Sequence, residues 1–164
     1  MRPFCHGRVT LDPETEAECR SVVLGYATAK NEWDILKYLF DRVKEGKHVA
    51  PGSAALVDGL TETDLKEKHI QLFSMYIYPR ERKYGTAPGG PTLITRDGPF
   101  SNVDPDTISS VTERNRNTID VVTEWPYVST EGRTMFVLKK SADRWLIDSL
   151  KTSKYGGDWE NAHL

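Results

Sequence analysis

Between Gly85 and Pro105 the chain carries Gly85, Pro88, Gly89, Gly90, Pro91, Gly98, Pro99 and Pro105. Glycine widens the backbone's choices, and proline fixes φ and removes a donor, so neither a helix nor a long strand is expected to cross this stretch. It separates two halves of different periodicity. Before it, apolar residues recur three and four apart; after it, β-branched and aromatic residues come in short runs. Helices first and strands afterwards predict an α+β domain, with the helices covering one face of a curved antiparallel sheet.

Three helices are expected. Asp12, Pro13, Glu14 and Glu16 form a helix opening: a capping carboxylate, a proline at the first position, and negative charge at the positive end of the dipole. Cys19, Val22, Val23, Tyr26 and Ala27 follow at helical spacing, with Gly25 a weak point among them. A second start is read at Asn31, with Asp34 three residues on and a stripe of Ile35, Leu36, Leu39, Phe40 and Val43 ending near Gly46. The stretch from Lys47 to Gly59 reads as a connector with one short helical turn. Thr61 and Asp64 then cap a third helix, whose stripe of Leu65, His69, Leu72, Phe73 and Tyr76 stops before Pro79.

A short strand is expected at Thr92 to Thr95 inside the Gly/Pro loop. Beyond Asp106, the runs "TISSVTE", "NTIDVVTEW", "RTMFVLKKS" and "RWLIDSLKT" predict three or four antiparallel strands, with turns at Glu131–Gly132 and Ala142–Asp143. At 164 residues the chain reads as one domain, with residues 1–11 and 156–164 as loose tails.

Composition excludes several classes. An apolar fraction of 38% and a charged fraction of 28% fit a water-soluble globule, and no segment approaches the roughly 20 apolar residues of a membrane crossing. The first residues lack the apolar core of a secretory signal, so a cytoplasmic protein is expected. A net charge of -2 speaks against a general nucleic-acid binder, which needs a basic excess to displace counterions. Cys5 and Cys19 read as free thiols, and the four histidines, His6, His48, His69 and His163, share no ligand spacing. "TAPGGP" lacks the lysine and hydroxyl residue of a phosphate-binding loop. No cofactor or metal is expected.

The order of elements resembles the nuclear-transport-factor-like cone. A narrower likeness lies in "YPRERKYG" (Tyr78 to Gly85), "DPDTISSV" (Asp104 to Val111) and "TMFVLKKSADRWLIDSLKT" (Thr134 to Thr152). Together these resemble bacterial immunity proteins of that fold, which protect cells from Rhs and other polymorphic toxins. The resemblance implies a protein that binds and neutralises a toxin domain and is not an enzyme; a monomer or a homodimer is expected, a choice the sequence leaves open. Its loop "TAPGGPTLITRDGPF" departs from the longer polar and aromatic stretch of that family, which bears on which toxin it meets.

If the toxin is a basic nuclease, the acidic residues become the candidate contacts: Asp97, Asp104 and Asp106 in the loop before the strands, and Glu124 beside Trp125 at a strand end. Each carboxylate also has a simpler use as a turn cap, and Trp125 as a core residue. A small enzyme or ligand-binding protein is the alternative, with His69, Tyr76, Asp120 and Asp148 converging in the cone as acid, base or polar lining. Each of these also has a plain structural explanation, as a satisfied buried polar group or the polar half of an alternating strand. Arg80, Arg82 and Lys83 read as a solvated helix terminus. A dimeric adaptor using an open sheet face is a third class.

Overall fold

The computed structural model describes residues 11–80, 103–124, 132–154, 156–162 and 164. Helix α1 spans Pro13–Lys44 and opens as its sequence dictates, with the Asp12 carboxylate accepting from Thr15 N at 3.1 Å and Glu14 and Glu16 in the first turn. Arg42 and Lys44 lie in its last turn, facing the negative end of the dipole. It continues through Asn31, so the two helices expected before Gly46 are one, of 32 residues. No glycine or proline stands near Asn31 to break it, and the buried stripe of Val23, Tyr26, Ala27, Lys30, Trp33 and Asp34 keeps its three-and-four spacing across the expected boundary. Asp34, expected near a new helix start, instead binds Lys30 one turn back.

After a 3-10 turn at Ser53–Val57, helix α2 spans Glu62–Tyr76. Asp64 N donates to Thr61 Oγ1 at 3.1 Å and Thr61 N to the Asp64 carboxylate at 2.8 Å, a reciprocal cap that holds the Asp64 carboxyl below its usual range. The helix ends ahead of Pro79: Ile77 is extended, bridges Ile147, and Tyr78 N donates to the Ile147 carbonyl at 2.8 Å. The chain therefore leaves α2 along the edge of the sheet.

Among the described residues the domain is thus α+β with two α-helices, where three were expected. Among these residues the sheet has five antiparallel strands in sequence order: β1 (Ile108–Asn115), β2 (Thr118–Glu124), β3 (Gly132–Ser141), β4 (Arg144–Lys154) and β5 (Glu160–Ala162). Ser141 faces Arg144 across the two-residue turn Ala142–Asp143, where Ala142 adopts φ 56. The fifth strand corrects the expectation of a loose tail from 156, since Ala162 pairs with Leu150 and Leu164 is buried. The expected strand at 92–95 and the turn residue Glu131 lie outside the described residues.

Both helices pack on one sheet face. Ile119 and Val121 of β2, Phe136 and Leu138 of β3, and Ile147 and Leu150 of β4 join Cys19, Val23 and Tyr26 of α1 and Phe73 of α2 in one apolar core. Gly25 has a packing reason: a Cβ there would stand 2.8 Å from the Tyr76 ring, so the glycine lets α2's last aromatic lie on the backbone of α1. Tyr76 in turn meets Tyr26 edge-on, with ring centroids 6.3 Å apart.

Alternation along the strands places Asp120, Met135, Lys139 and Lys151 on the opposite face, away from the helices. Between Val137 and Leu138 the β3–β4 register slips by one, Val137 facing Ser149 and Leu138 facing Ile147, which leaves Asp148 as the extra residue of a bulge.

Candidate functional site

The four residues expected to converge in a pocket are divided by the sheet. His69 and Tyr76 belong to α2 on the helical side; Asp120 and Asp148 belong to the far face. Each has a local setting of its own.

His69 is fully buried, stacked on Trp33 with ring centroids 4.4 Å apart and tilted against Phe73 at 4.8 Å. Burial, with the Lys30 charge adding to it, pushes its pKa down to about 4, so at neutral pH it is an uncharged ring. Trp33 is fixed by its indole N–H, which donates to the Leu65 carbonyl of α2 at 2.7 Å.

The group that sequence reasoning missed stands next to it. Lys30 Nζ donates to Asp34 Oδ1 at 2.7 Å, and their side chains are 3% and 0% exposed. Lys30 also lies over the Trp33 ring at 5.1 Å. Burial pushes the Asp34 pKa up, and the Lys30 hydrogen bond and charge pull it back. Asp34 Oδ2 has no hydrogen bond, so half the carboxylate is unsatisfied by the described residues. The signal was present in the sequence: Lys30 and Asp34 sit four apart on the stripe that carries Tyr26, Ala27 and Trp33. Cys19, deeper on the same helix, is a free thiol pushed up to about 12 by burial and the neighbouring Glu18 charge, which keeps it protonated and unreactive.

On the far face the pattern reverses. Arg114 of β1 grips Asp120 with two nitrogens, at 2.8 and 3.0 Å, and the arginine is 45% exposed where the carboxylate is 15%. Arg80, on the segment after α2, donates to Asp148 at 2.6 Å, with Lys139 Nζ at 3.4 Å from the same carboxylate; both cations are 43% exposed against 8% for Asp148. Arg80 is therefore an ion-pair partner of the sheet and not only a helix terminus. Arg133 of β3 lies over the Trp159 ring at 4.9 Å. The turn that brings Trp159 there is held by Ser153 Oγ donating to the Gly157 carbonyl at 2.6 Å and by Gly157 N donating to the Lys154 carbonyl at 2.9 Å, with Gly156 at φ 69.

Of the acidic residues expected to meet a partner, Asp104 caps a 3-10 turn at Pro105–Thr107, accepting from Asp106 N at 2.8 Å and Thr107 N at 3.1 Å. Asp106 is exposed on that turn, and Glu124 is exposed at the end of β2 opposite Arg133. Asp97 and Trp125 lie outside the described residues, as do Arg82, Lys83, Cys5, His6, His163 and the "TAPGGP" stretch. Among the described residues no helix is long and apolar enough to cross a membrane, and no three His, Cys, Asp or Glu side chains gather as a metal site. Comparison with protein-family models, curated proteins and solved structures found no match for this chain.

Proposed function

We propose that this chain is a cytoplasmic immunity protein that binds a cognate bacterial toxin domain and neutralises it by covering its active or substrate-binding surface. On this reading the two helices and five strands are a nuclear-transport-factor-like cone, and the toxin is of the Rhs, contact-dependent or type VI secreted kind. The observation that carries the proposal is the division of polar groups. His69 and Tyr76 stand on one side of the sheet and Asp120 and Asp148 on the other, and both carboxylates are engaged by arginines. A reacting centre needs a base, an acid and a substrate within hydrogen-bond reach of one another. Blockade needs only a surface, and it requires no cofactor.

The sequence likeness in "YPRERKYG", "DPDTISSV" and "TMFVLKKSADRWLIDSLKT" supports the same reading. Exposed Asp106, before the first strand, is available to a basic patch elsewhere on the toxin, where paired charges speed encounter more than they deepen affinity. The trial is co-purification with the toxic domain encoded in the neighbouring reading frame, together with rescue of cells expressing that domain. A co-eluting complex and restored growth are expected. No complex at micromolar concentration contradicts the proposal.

A further inference from the structure

We infer that the sheet face turned away from the helices docks an acidic protein surface and, resting on the function proposed above, that the toxin presents that surface. The ion pairs of this face are asymmetric. Asp120 and Asp148 are covered and their partners Arg114, Arg80 and Lys139 stand outward, so an approaching molecule meets these cations, with Glu124, opposite Arg133, an exposed carboxylate at one end of the patch. Lys151, on the same face, faces Met135 across β3–β4 and makes no ion pair within 4.0 Å among the described residues.

The patch also has the make-up of a contact surface. Half-buried Met135 lies at its middle, with Arg114 Nη2 3.9 Å from its sulfur and Lys151 opposite it in register. Arg133, two residues along β3, has its guanidinium 4.9 Å from the Trp159 ring centroid, a cation–π contact that favours one arrangement of the two side chains. Methionine beside an arginine–tryptophan contact, rimmed by cations, is the composition of a binding hot spot whose partner supplies carboxylates. A second copy is a poor occupant, since the same cations would face one another across a two-fold axis. Nucleic acid is disfavoured because a phosphate backbone needs a continuous track of cations, and here they are broken up by Met135 and Thr112.

The test separates this surface from the function it rests on. In the first arm, a fluorescein-labelled glutamate-rich peptide with one central phenylalanine is titrated by anisotropy at about 50 mM salt. Binding is expected, weakened about tenfold or more by R133E/K151E and unchanged by E62K/E67K on α2. R133A/K151A serves the same purpose should the reversed pair fail to fold, as thermal melting will show. No binding, or equal binding by these variants, overturns the surface whatever the toxin does.

In the second arm the neighbouring-frame toxin domain replaces the peptide. A tenfold loss for R133E/K151E supports the assignment; an unchanged constant, or tighter binding as a basic partner would give, overturns it while leaving the immunity function standing. No toxin binding by the wild type overturns the function and the toxin's place on this face, while peptide binding in the first arm would still support an acidic-protein surface there. In the third arm, tighter binding of a labelled single-stranded DNA or of anionic lipid vesicles than of the peptide, lost in R133E/K151E, overturns the acidic-protein assignment.

Discussion

The helical side and the far sheet face both carry ion pairs, and they carry them in opposite ways. Between the helices Lys30 and Asp34 are both buried, among Trp33 and His69, with one carboxylate oxygen making no hydrogen bond among the described residues. On the sheet each carboxylate is covered and each cation is exposed. Desolvating two charges costs several kcal/mol each, and an enclosed pair repays that only with good geometry, so the first arrangement is a folding constraint. The second costs little, holds the cations in place and leaves them accessible, which is what recognition needs.

Lys30→Met should have the largest effect on stability. It leaves Asp34 charged or protonated in an apolar setting, and a loss of about 3–5 kcal/mol is expected by denaturant unfolding. K30M/D34L should regain most of it, because an apolar pair of similar volume replaces a pair that was costly to bury.

Acid should act on the same side of the molecule. His69 has a folded pKa of about 4 against an ordinary 6.5, so between those values the unfolded chain binds the proton and the folded one does not. The stability this neutral ring retains above pH 6.5 is lost as pH falls towards 4, by roughly 3 kcal/mol in all. The raised pKa of Asp34 gives a slope of the opposite sign, with stability falling as pH rises through its window. The difference between wild type and His69→Phe in thermal melts from pH 7 to pH 4 therefore isolates the histidine, and that difference should vanish if the ring is not what titrates.

Gly25 bears on how closely the helices meet. Alanine there gains up to about 1 kcal/mol of helix propensity but collides with the Tyr76 ring, so a net loss of about 1 kcal/mol is expected. In a Tyr76→Ala background the same substitution should stabilise, and a double-mutant cycle reads the change of sign.

The far face gives the smallest effect on stability. Arg114→Ala should cost about 1 kcal/mol or less, because the pair is partly solvated and Asp120 can turn to water. A loss several times larger would place this pair with the buried one and undo the contrast.

The α+β order was legible because it rests on periodicity. The four long strands fall on the four runs rich in β-branched residues, and Thr61, Asp64 and Pro79 bound α2 as capping chemistry requires. The boundary expected at Asn31 fails because Asn31 and Asp34 have the chemistry of a helix start while Lys30 and Asp34 belong to the buried stripe; charged residues there make sense only once their pairing is seen. β5 was invisible because three residues, Glu160, Asn161 and Ala162, carry no strand propensity, and their pairing comes from the turn at Gly156 and Gly157. The ion pairs of the far face join residues up to 68 apart in the chain, Arg80 and Asp148, a juxtaposition that only the fold creates.

The decisive measurement is a titration of the toxin's own activity with the purified chain, followed to its end point. If the protein works by covering a surface, activity should fall linearly and reach its minimum at one copy per toxin domain. Loss of activity at a small fraction of that ratio, growing with time, would mean that the chain turns over on its target and that a reacting group carries the function.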